Sequence, residues 1–254
     1  MLSVCLLTYN SERLLKDVIK SLLLIADEFI VVDSGSTDNT LSILQEFGIN
    51  YHYHPYATHA RQMNHAISLA KNDWVLCMDS DEVLDEEVIF AINQLKAESL
   101  NNDSIAWRIP RYWYVLGKPV RAIYPVSSPD FPVRLFNRNR VRFNNQPVDD
   151  SAEGENIEKR RLPGHVRHDT FYSLHEVFSK LNIYTSRVVK YKKIRPSLGR
   201  GILSAIGALF KWYLINGSWK EGKIGLVTGI YAISYSFLKY FKSWFYVDKK
   251  KTDP

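Results

Sequence analysis

The chain has 254 residues, of which 46% are hydrophobic and 24% are charged, and its formal net charge is +6. This length can bury a substantial core, either as one elaborate domain or as one domain with an appendage. The two cysteines, Cys5 and Cys77, lie in apolar runs and are predicted to be buried hydrophobic residues in a reducing compartment, and no Cys/His spacing indicates a zinc site. Met1 leads directly into a strand-like run, so we expect no N-terminal signal peptide.

The charge is divided unevenly along the chain. Residues 1–156 carry a net charge of −7, whereas residues 157–254 carry +13. An acidic first part suits a metal-bound nucleotide. A basic, aromatic-rich second part favours an anionic partner such as a membrane surface, an anionic glycolipid or nucleic acid.

The first 80 residues alternate strand and helix patterns. The predicted strands are residues 2–8, 29–33, 49–53 and 74–79. The helices between them have apolar stripes, and we expect Asn10 or Ser11 to cap the first of these helices. The stripes are Leu15, Val18, Ile19 and Leu22, then Ile43, Leu44 and Phe47, and then Met63, Ile67 and Ala70. This order predicts an α/β fold with a mainly parallel sheet and right-handed crossovers.

Polar groups follow three of these strands, and the carboxyl-end loops of a parallel sheet are neighbours. The loops are Thr8-Tyr9-Asn10, Asp33-Ser34-Gly35-Ser36 and Asp79-Ser80-Asp81. Taken singly, each fits an ordinary turn or helix cap. Their shared edge favours a ligand site, because open α/β sheets bind ligands at the carboxyl ends of their strands.

The residue types at this edge indicate a nucleotide and a metal. Asp79 and Asp81 repel each other unless a cation lies between them, and Mg²⁺ or Mn²⁺ takes oxygen ligands that it often shares with phosphates. Asp33 is suited to accept a hydrogen bond from the imide of uracil, and Tyr9 to stack on the base. Gly35 allows close backbone approach. Neither a G-x-G-x-x-G nor a G-x-x-x-x-G-K-[ST] motif is present, which disfavours dinucleotide and P-loop proteins.

The later part of the chain changes character. Residues 134–136 and 140–143 are predicted to pair as strands around an Asn-rich turn. From about Tyr172 a helical region follows, with an amphipathic helix marked by Leu174, Val177, Phe178 and Leu181. A basic cluster (Lys190, Lys192, Lys193, Arg195 and Arg200) then precedes the apolar runs 202–210 and 224–238. A helix needs about 20 residues to cross a bilayer, and both runs are shorter than that. We therefore expect them to lie in the membrane interface or to pack on protein.

Four ordered segments resemble family 2 glycosyltransferases, which have the GT-A fold. They are Thr8-Tyr9-Asn10, residues 31–40, residues 60–64 and Asp79-Ser80-Asp81-Glu82. The later pattern of residues 148–150, 164–168 and 180–185 is similar to the branch that contains lipopolysaccharide core β-glucosyltransferases. The resemblance implies a Rossmann-like nucleotide-binding sheet and inverting transfer from a nucleotide sugar.

The resemblance also implies roles for individual residues. The predicted metal ligands are Asp81, which would ligate the cation directly, Asp79, which would also contact the ribose or sugar, and His168 as a further ligand. The positions implied to bind the sugar nucleotide are Thr8, Tyr9, Asn10, Glu12, Asp33, Ser34, Gly35, Arg61, Asn64, Asp79 and Ser80.

The catalytic base is assigned by the same resemblance, with a departure. Relatives carry Val-His-Glu where this chain has Val148-Asp149-Asp150. Position matching makes Asp150 the base, and Asp149 and Glu153 are alternatives. A carboxylate in this role takes the proton of the attacking acceptor hydroxyl.

We therefore predict a GT-A catalytic domain over residues 1–172, with a nucleotide-sugar half (1–100) and an acceptor half (101–172), followed by a helical region over 173–254. The predicted activity is Mg²⁺- or Mn²⁺-dependent transfer of a hexose, glucose in the branch that it resembles, from a UDP-sugar to a lipid-linked saccharide. The resemblance implies an inner-core acceptor of lipopolysaccharide or lipooligosaccharide. The basic, aromatic C-terminal region favours contact with a membrane surface, so we predict a cytoplasmic protein held peripherally on the inner face of the cytoplasmic membrane. A homo-oligomer is compatible with the sequence, and no nucleic-acid partner is expected. An inactive sugar-nucleotide-binding or membrane scaffold, or a nucleotidyltransferase, is the alternative.

Overall fold

The structure, a computed structural model, describes residues 1–98 and 100–246. The chain forms two compact units. Unit 1 comprises residues 1–111 and 131–168, and unit 2 comprises residues 112–130 and the chain from residue 169 onward. The predicted domain division at residues 172/173 stays a prediction.

The strands and helices are as follows. The strands are β1 (Leu2–Thr8), β2 (Glu28–Asp33), β3 (Tyr51–Tyr53), β4 (Trp74–Asp79), β5 (Glu82–Leu84), β6 (Ile105–Arg108), β7 (Arg111–Val115), β8 (Lys118–Pro119), β9 (Ala122–Ile123), β10 (Val126–Ser127), β11 (Val133–Asn137), β12 (Arg142–Phe143), β13 (Ala152–Glu153), β14 (Glu158–Arg161) and β15 (Val166–Phe171). The helices are α1 (Leu15–Leu23), α2 (Thr40–Glu46), α3 (His59–Leu69), α4 (Glu86–Ala97), α5 (Leu174–Tyr191), α6 (Leu198–Ala208) and α7 (Gly222–Phe245).

Unit 1 is built on a seven-stranded sheet in the order β14-β6-β11-β4-β1-β2-β3. Strands β3, β2, β1 and β4 are parallel, as are β14 and β6, and β11 runs antiparallel to both of its neighbours. The predicted α/β class and the mainly parallel sheet are confirmed.

Side-chain alternation along the central strands covers both faces of this sheet. In β1, Val4 packs with Leu6 on the face covered by α1, whereas Cys5 packs on the face covered by α3. Period-2 alternation explains this division. Both cysteines are buried and free, as predicted for small hydrophobic residues. The buried stripe of α1 (Leu15, Val18, Ile19 and Leu22) is also confirmed.

Two local predictions in unit 1 are wrong. Helix α1 begins after Leu14, which makes no side-chain cap hydrogen bond, so neither Asn10 nor Ser11 caps it. The third strand begins at Tyr51 rather than at Ile49, because the Ile49 N–H donates to Leu44 O (2.9 Å) in the turn that ends α2.

The predicted hairpin of residues 134–136 with 140–143 is also wrong. Strand β11 inserts between β6 and β4, and β12 pairs with β13 instead. Pairing with long strands of the main sheet satisfies more backbone groups of β11 than a short hairpin would.

Unit 2 contains the predicted C-terminal helical region. In α5, Val177 and Leu181 are buried, whereas Leu174 and Phe178 are half exposed. A π-helical segment (Leu209–Ile215) continues α6, and a short 3₁₀ turn (Ser218–Glu221) leads into α7.

The helices of unit 2 are longer than the apolar runs from which they were predicted. Residues Leu198–Ile215 and Ser218–Phe245 are long and apolar enough, by length and composition alone, to cross a membrane. The apolar runs therefore underestimated the lengths of the helices, and the placement of these segments in the membrane interface or on protein stays a prediction. Helical structure extends through the Lys, Ser and Tyr residues that bound the apolar runs.

Candidate active site

The polar ends of the parallel strands lie side by side in unit 1. Thr8 at the end of β1 is in register with Asp33 at the end of β2, and Asp33 is in register with Tyr53 at the end of β3. Asp79 at the end of β4 pairs with Leu7. The prediction that these carboxyl-end loops are neighbours is confirmed.

The Asp33 carboxylate organises the loop that follows it. Its Oδ1 accepts hydrogen bonds from the backbone N–H groups of Gly35 and Ser36 (both 2.8 Å), and its Oδ2 accepts from Ser36 Oγ (2.6 Å) and Thr8 Oγ1 (2.8 Å). Asp33 is 1% exposed. Because a carboxylate has about four acceptor positions, a nucleobase donor must replace one of these partners.

Two further predicted residues cross-link the β1–α1 loop to the β2–α2 loop. Asn10 accepts a hydrogen bond from Thr37 N (2.9 Å) and donates its own N–H to Ser36 Oγ (2.9 Å). Glu12 Oε2 accepts from Asn39 Nδ2 (2.8 Å). Asn10 and Glu12 therefore hold the two loops together.

The serine side chains of this edge are bonded within it. Ser80 Oγ lies 2.6 Å from Ser11 Oγ, and Ser34 Oγ accepts from Gln62 Nε2 (2.8 Å). By contrast, the Tyr9 side chain is 62% exposed, which leaves its ring available for stacking.

Gly35 approaches the end of β3 closely. It has φ = +96°, a conformation that favours glycine, and a Cβ at this position would lie 3.4 Å from the ring of Tyr53. In this structure, the backbone at Gly35 therefore packs closely against an aromatic side chain.

Asp79 is held between two cationic side chains. Its Oδ1 lies 3.0 Å from His59 Nε2, and its Oδ2 accepts from Arg134 Nη2 (3.1 Å). Burial acts to raise the pKa of Asp79, but the positive charges of His59 and Arg134 hold it well below its usual value. Asp79 is therefore an anion at neutral pH.

Glu82 anchors this arrangement from the interior. It is fully buried, its Oε1 accepts hydrogen bonds from Arg111 Nη1 (2.8 Å) and from Arg134 Nη2, and its Oε2 accepts from Asp79 N (3.2 Å). A buried carboxylate needs such partners, because an unpaired charge in the interior is strongly destabilising.

His59 links Asp79 to a loop that is distant in sequence. Its Nδ1 lies 2.6 Å from Asp150 Oδ2, between β12 and β13, and its ring stands edge-on to Phe143. Burial acts to lower the pKa of His59, but Asp79 and Asp150 outweigh it and raise the pKa to about 10. A protonated imidazole thus joins the two carboxylates. The charges alternate along a continuous row formed by Asp150, His59, Asp79, Arg134, Glu82 and Arg111.

The three candidate bases lie in different surroundings. Asp150 is placed against His59, with 18% of its side chain exposed. Asp149 is exposed and has φ = +61°. Glu153 is exposed on β13, where it accepts from Asn144 Nδ2 (3.1 Å). Of the three candidate bases, Asp150 is therefore the one that lies close to Asp79, through His59.

Two of the three predicted metal ligands are brought together. His168 Nε2 lies 3.1 Å from Asp81 Oδ2, because β15 pairs with β5 directly after the acidic motif. The Asp79 carboxylate is occupied by His59 and Arg134 instead. Within residues 1–98 and 100–246, no group of three or more His, Cys, Asp or Glu side chains is arranged to hold a metal ion. One carboxylate and one imidazole fit Mg²⁺ or Mn²⁺ when diphosphate oxygens complete the ligand set.

The two predicted residues of α3 differ in their surroundings. Arg61 is exposed on the first turn of the helix, which Thr58 caps. Asn64 bonds both ways with the backbone of Phe143, accepting from its N–H (3.1 Å) and donating to its carbonyl (2.8 Å). Asn64 thus fastens β12 to α3.

Sequence reasoning missed the roles of His59 and Arg134. Arg134 had a usable signal, since a charged side chain inside the apolar strand β11 requires a buried partner. His59 had only its position on the first turn of a helix that follows a strand of the sheet.

Comparisons with known proteins show which family of proteins the chain is similar to. A sequence model of Glycosyl transferase family 2 matches residues 3–143. The lipopolysaccharide core biosynthesis glycosyltransferase LpsC of Rhizobium meliloti is 27% identical over 251 residues, covering 93% of this chain and 89% of LpsC. An uncharacterised glycosyltransferase of Rickettsia typhi is 28% identical over 198 residues, covering 74% and 67%. The solved structure of S. aureus TarS 1–349 in complex with UDP is 18% identical, covers 96% of this chain and 88% of that chain, and has a TM-score of 0.46.

Proposed function

The chain belongs to glycosyl transferase family 2. We propose that it is an inverting enzyme that transfers a hexose, specifically glucose, from a UDP-sugar to a lipid-linked saccharide. The single observation that carries this proposal is the placement of Asp150 beside His59 and Asp79 at the carboxyl edge of a GT-A sheet. The similarity to LpsC along most of both chains supports an acceptor in the inner core of lipopolysaccharide or lipooligosaccharide.

Asp150 is the proposed base. The acceptor hydroxyl oxygen forms a bond to the anomeric carbon while the bond from that carbon to the diphosphate breaks, and the hydroxyl proton passes to Asp150. His59 fixes the orientation of the Asp150 carboxylate through a 2.6 Å contact. Direct displacement of this kind inverts the anomeric configuration.

The loops after β1, β2 and β4 form the proposed nucleotide site. Tyr9 stacks on the uracil, and the imide N–H takes one acceptor position on Asp33 Oδ2 in place of a hydroxyl partner. Asn10 and Glu12 keep the loops in place. Arg61 is the proposed diphosphate contact, in keeping with its exposed position at the start of α3.

The proposed divalent cation is held by Asp81 and His168 together with the donor diphosphate. When bound, such a cation offsets the charge that develops on the departing diphosphate. Asp79 contributes its fixed negative charge beside the sugar or ribose.

The proposed location is the inner face of the cytoplasmic membrane, with peripheral attachment through the C-terminal region. Exposed apolar side chains in unit 2 support this location, since large exposed apolar patches mark protein or membrane contacts.

A transfer assay tests the proposal. The chain is incubated with UDP-glucose, Mn²⁺ and a deacylated lipooligosaccharide core that lacks the glucose, and the product is analysed by mass spectrometry and proton NMR. A β-linked glucose would support the proposal. UDP-glucose hydrolysis without transfer to any core sugar would remove the proposed acceptor class, and the absence of both reactions would favour the inactive scaffold.

A further inference from the structure

One side of α6 and of the π-helical segment after it is covered with exposed apolar side chains. We name this surface the α6 outer face; its residues are Leu198, Ile202, Leu203, Ile206, Phe210 and Leu214. The exposed fraction reaches 70% at Leu203 and 54% at Phe210. The spacing of three or four residues between most members places them on one stripe of the helix.

The opposite side of the same helix is packed within unit 2. Ala208 and Trp212 are buried in a small cluster with Ala122 and Ala232, and the Trp212 ring stands edge-on to Tyr124 at 5.4 Å between centroids. The helix therefore has one side covered by protein and one side that is open.

Helix α7 also exposes apolar side chains, such as Leu226 (51%) and Phe245 (71%), but unlike α6 it is tied to the rest of unit 2 by hydrogen bonds from lysine side chains. Lys242 Nζ donates to the Asn182 carbonyl (2.8 Å), Thr185 Oγ1 (2.7 Å) and Ser186 Oγ (2.9 Å) of α5. Lys239 Nζ lies 3.3 Å from the Tyr124 hydroxyl. A helix surrounded by lipid would leave such groups in hydrocarbon, where charged side chains are unfavourable.

The stretch of sequence that contains the α6 outer face carries formal charge of one sign. Residues 177–220 contain nine Lys or Arg and no Asp or Glu. Lys192, Lys193 and Arg195 are exposed directly before α6, and Lys211 and Lys220 are exposed toward the other end. Apolar side chains flanked by exposed cations fit the boundary between the headgroups and acyl chains of an anionic bilayer.

We infer that the α6 outer face lies in the surface of an anionic phospholipid bilayer, parallel to its plane, while α7 stays packed on protein and does not cross. This attachment is monotopic, although both helical segments are long enough to span. The inference rests on the proposed function, because a lipid-linked acceptor requires the enzyme to work at a membrane surface. It adds to that function by assigning the membrane contact to one face of one helix.

Vesicle flotation of the full chain tests the assignment. Wild type is expected to float with vesicles of phosphatidylcholine and phosphatidylglycerol and to bind phosphatidylcholine vesicles at least about tenfold more weakly, since basic residues near a surface favour anionic lipid. The double variant Leu203→Glu/Phe210→Glu is expected to lose at least about tenfold in affinity for the anionic vesicles. The matched control is Phe90→Glu, which replaces an exposed aromatic residue of α4 (64% exposed) and should bind like wild type.

Three results would overturn the inference. The double variant could bind vesicles as tightly as wild type, or the control could lose as much binding as the double variant. Alternatively, the double variant could convert an oligomer to monomers without changing vesicle binding, which would make the face an interface between copies of the chain. Circular dichroism and an unchanged thermal midpoint establish that each variant is folded, and Ile206→Gln is the milder replacement if the double variant is not.

Depth measurement separates monotopic attachment from a span. Because Cys5 and Cys77 are buried, a nitroxide on Leu203→Cys reports a single site. A depth of about 5–10 Å below the headgroups is expected for an in-plane helix, and a label at the bilayer centre would contradict it. UDP-glucose binding in solution, measured on the same variants, distinguishes a failed membrane face from a failed donor site.

Discussion

The His59 Nδ1 atom lies 2.6 Å from Asp150 Oδ2, although the two residues are 91 positions apart in the chain. The other ring nitrogen of His59 lies 3.0 Å from Asp79. One protonated imidazole therefore couples the proposed base to the acidic motif at the end of β4. The coupling gives Asp150 a fixed position that Asp149 and Glu153 do not share.

Replacing Asp150 with Asn should abolish proton acceptance while preserving shape. We expect kcat for transfer to fall by about 10²- to 10⁴-fold, the usual range for a general base, with little change in UDP-glucose binding. Steady-state kinetics and calorimetry measure the two quantities. Asp149→Asn is the matched control, and a larger kcat loss in that variant would move the base to Asp149.

Asp33 should control the choice of nucleobase. Asp33→Asn is expected to weaken UDP binding by about tenfold or more, the effect of losing a hydrogen bond to a charged group, and to reduce the preference for UDP over CDP. Thr8→Val removes one hydroxyl partner of Asp33 Oδ2 at nearly constant volume and should preserve that preference. If Asp33→Asn binds less tightly but keeps the same UDP:CDP ratio, Asp33 only shapes the loop.

The buried ion pairs of Arg134 should dominate the stability of the site. Arg134→Met leaves the fully buried Glu82 without one of its two guanidinium partners. We expect a loss of about 3–5 kcal/mol in the free energy of unfolding, measured by urea denaturation. Arg140→Met breaks the exposed pair with Asp103 and should change stability by less than about 1 kcal/mol. Equal effects of the two variants would contradict this account.

Asp27 should make stability depend on acid pH. Its carboxylate accepts from Leu2 N (2.7 Å) and from Lys96 Nζ (2.9 Å). Burial acts to raise its pKa, but the Lys96 and Leu2 hydrogen bonds lower it below the ordinary 3.8. A depressed folded-state pKa stabilises the protein above the unfolded-state value, and the contribution is lost as pH falls through the folded-state pKa.

The corresponding measurement compares urea denaturation of wild type and Asp27→Asn at pH 7 and pH 3. The variant should have a lower free energy of unfolding than wild type at pH 7. The difference in free energy of unfolding between the two proteins should be smaller at pH 3. Glu98→Gln, at an exposed position, is the control and should show no such narrowing. A difference that is constant with pH would show that the Asp27 charge has no part in stability.

Local sequence patterns predicted the parallel strands of the sheet and the polar loops at their carboxyl ends. The apolar runs that end at Thr8, Asp33 and Asp79 are bounded by turn residues, and their parallel pairing follows from the alternation of strands and helices. Secondary structure of this kind depends on near neighbours, so a single sequence contains the signal.

The features that sequence missed depend on partners far along the chain. Local patterns predicted that β11 pairs in a hairpin, whereas in the structure β11 lies between β6 and β4. His59 gains its position from Asp79 and Asp150, which are 20 and 91 residues away. A pattern within one segment cannot specify which distant strand or side chain will be its neighbour.

Calorimetric titration with UDP-, GDP- and dTDP-glucose, with and without Mn²⁺, on wild type and Asp81→Asn tests the central claim most directly. The account predicts binding of UDP-glucose that Mn²⁺ strengthens and that the Asp81→Asn variant weakens. Failure of the wild-type chain to bind any nucleotide sugar would contradict it.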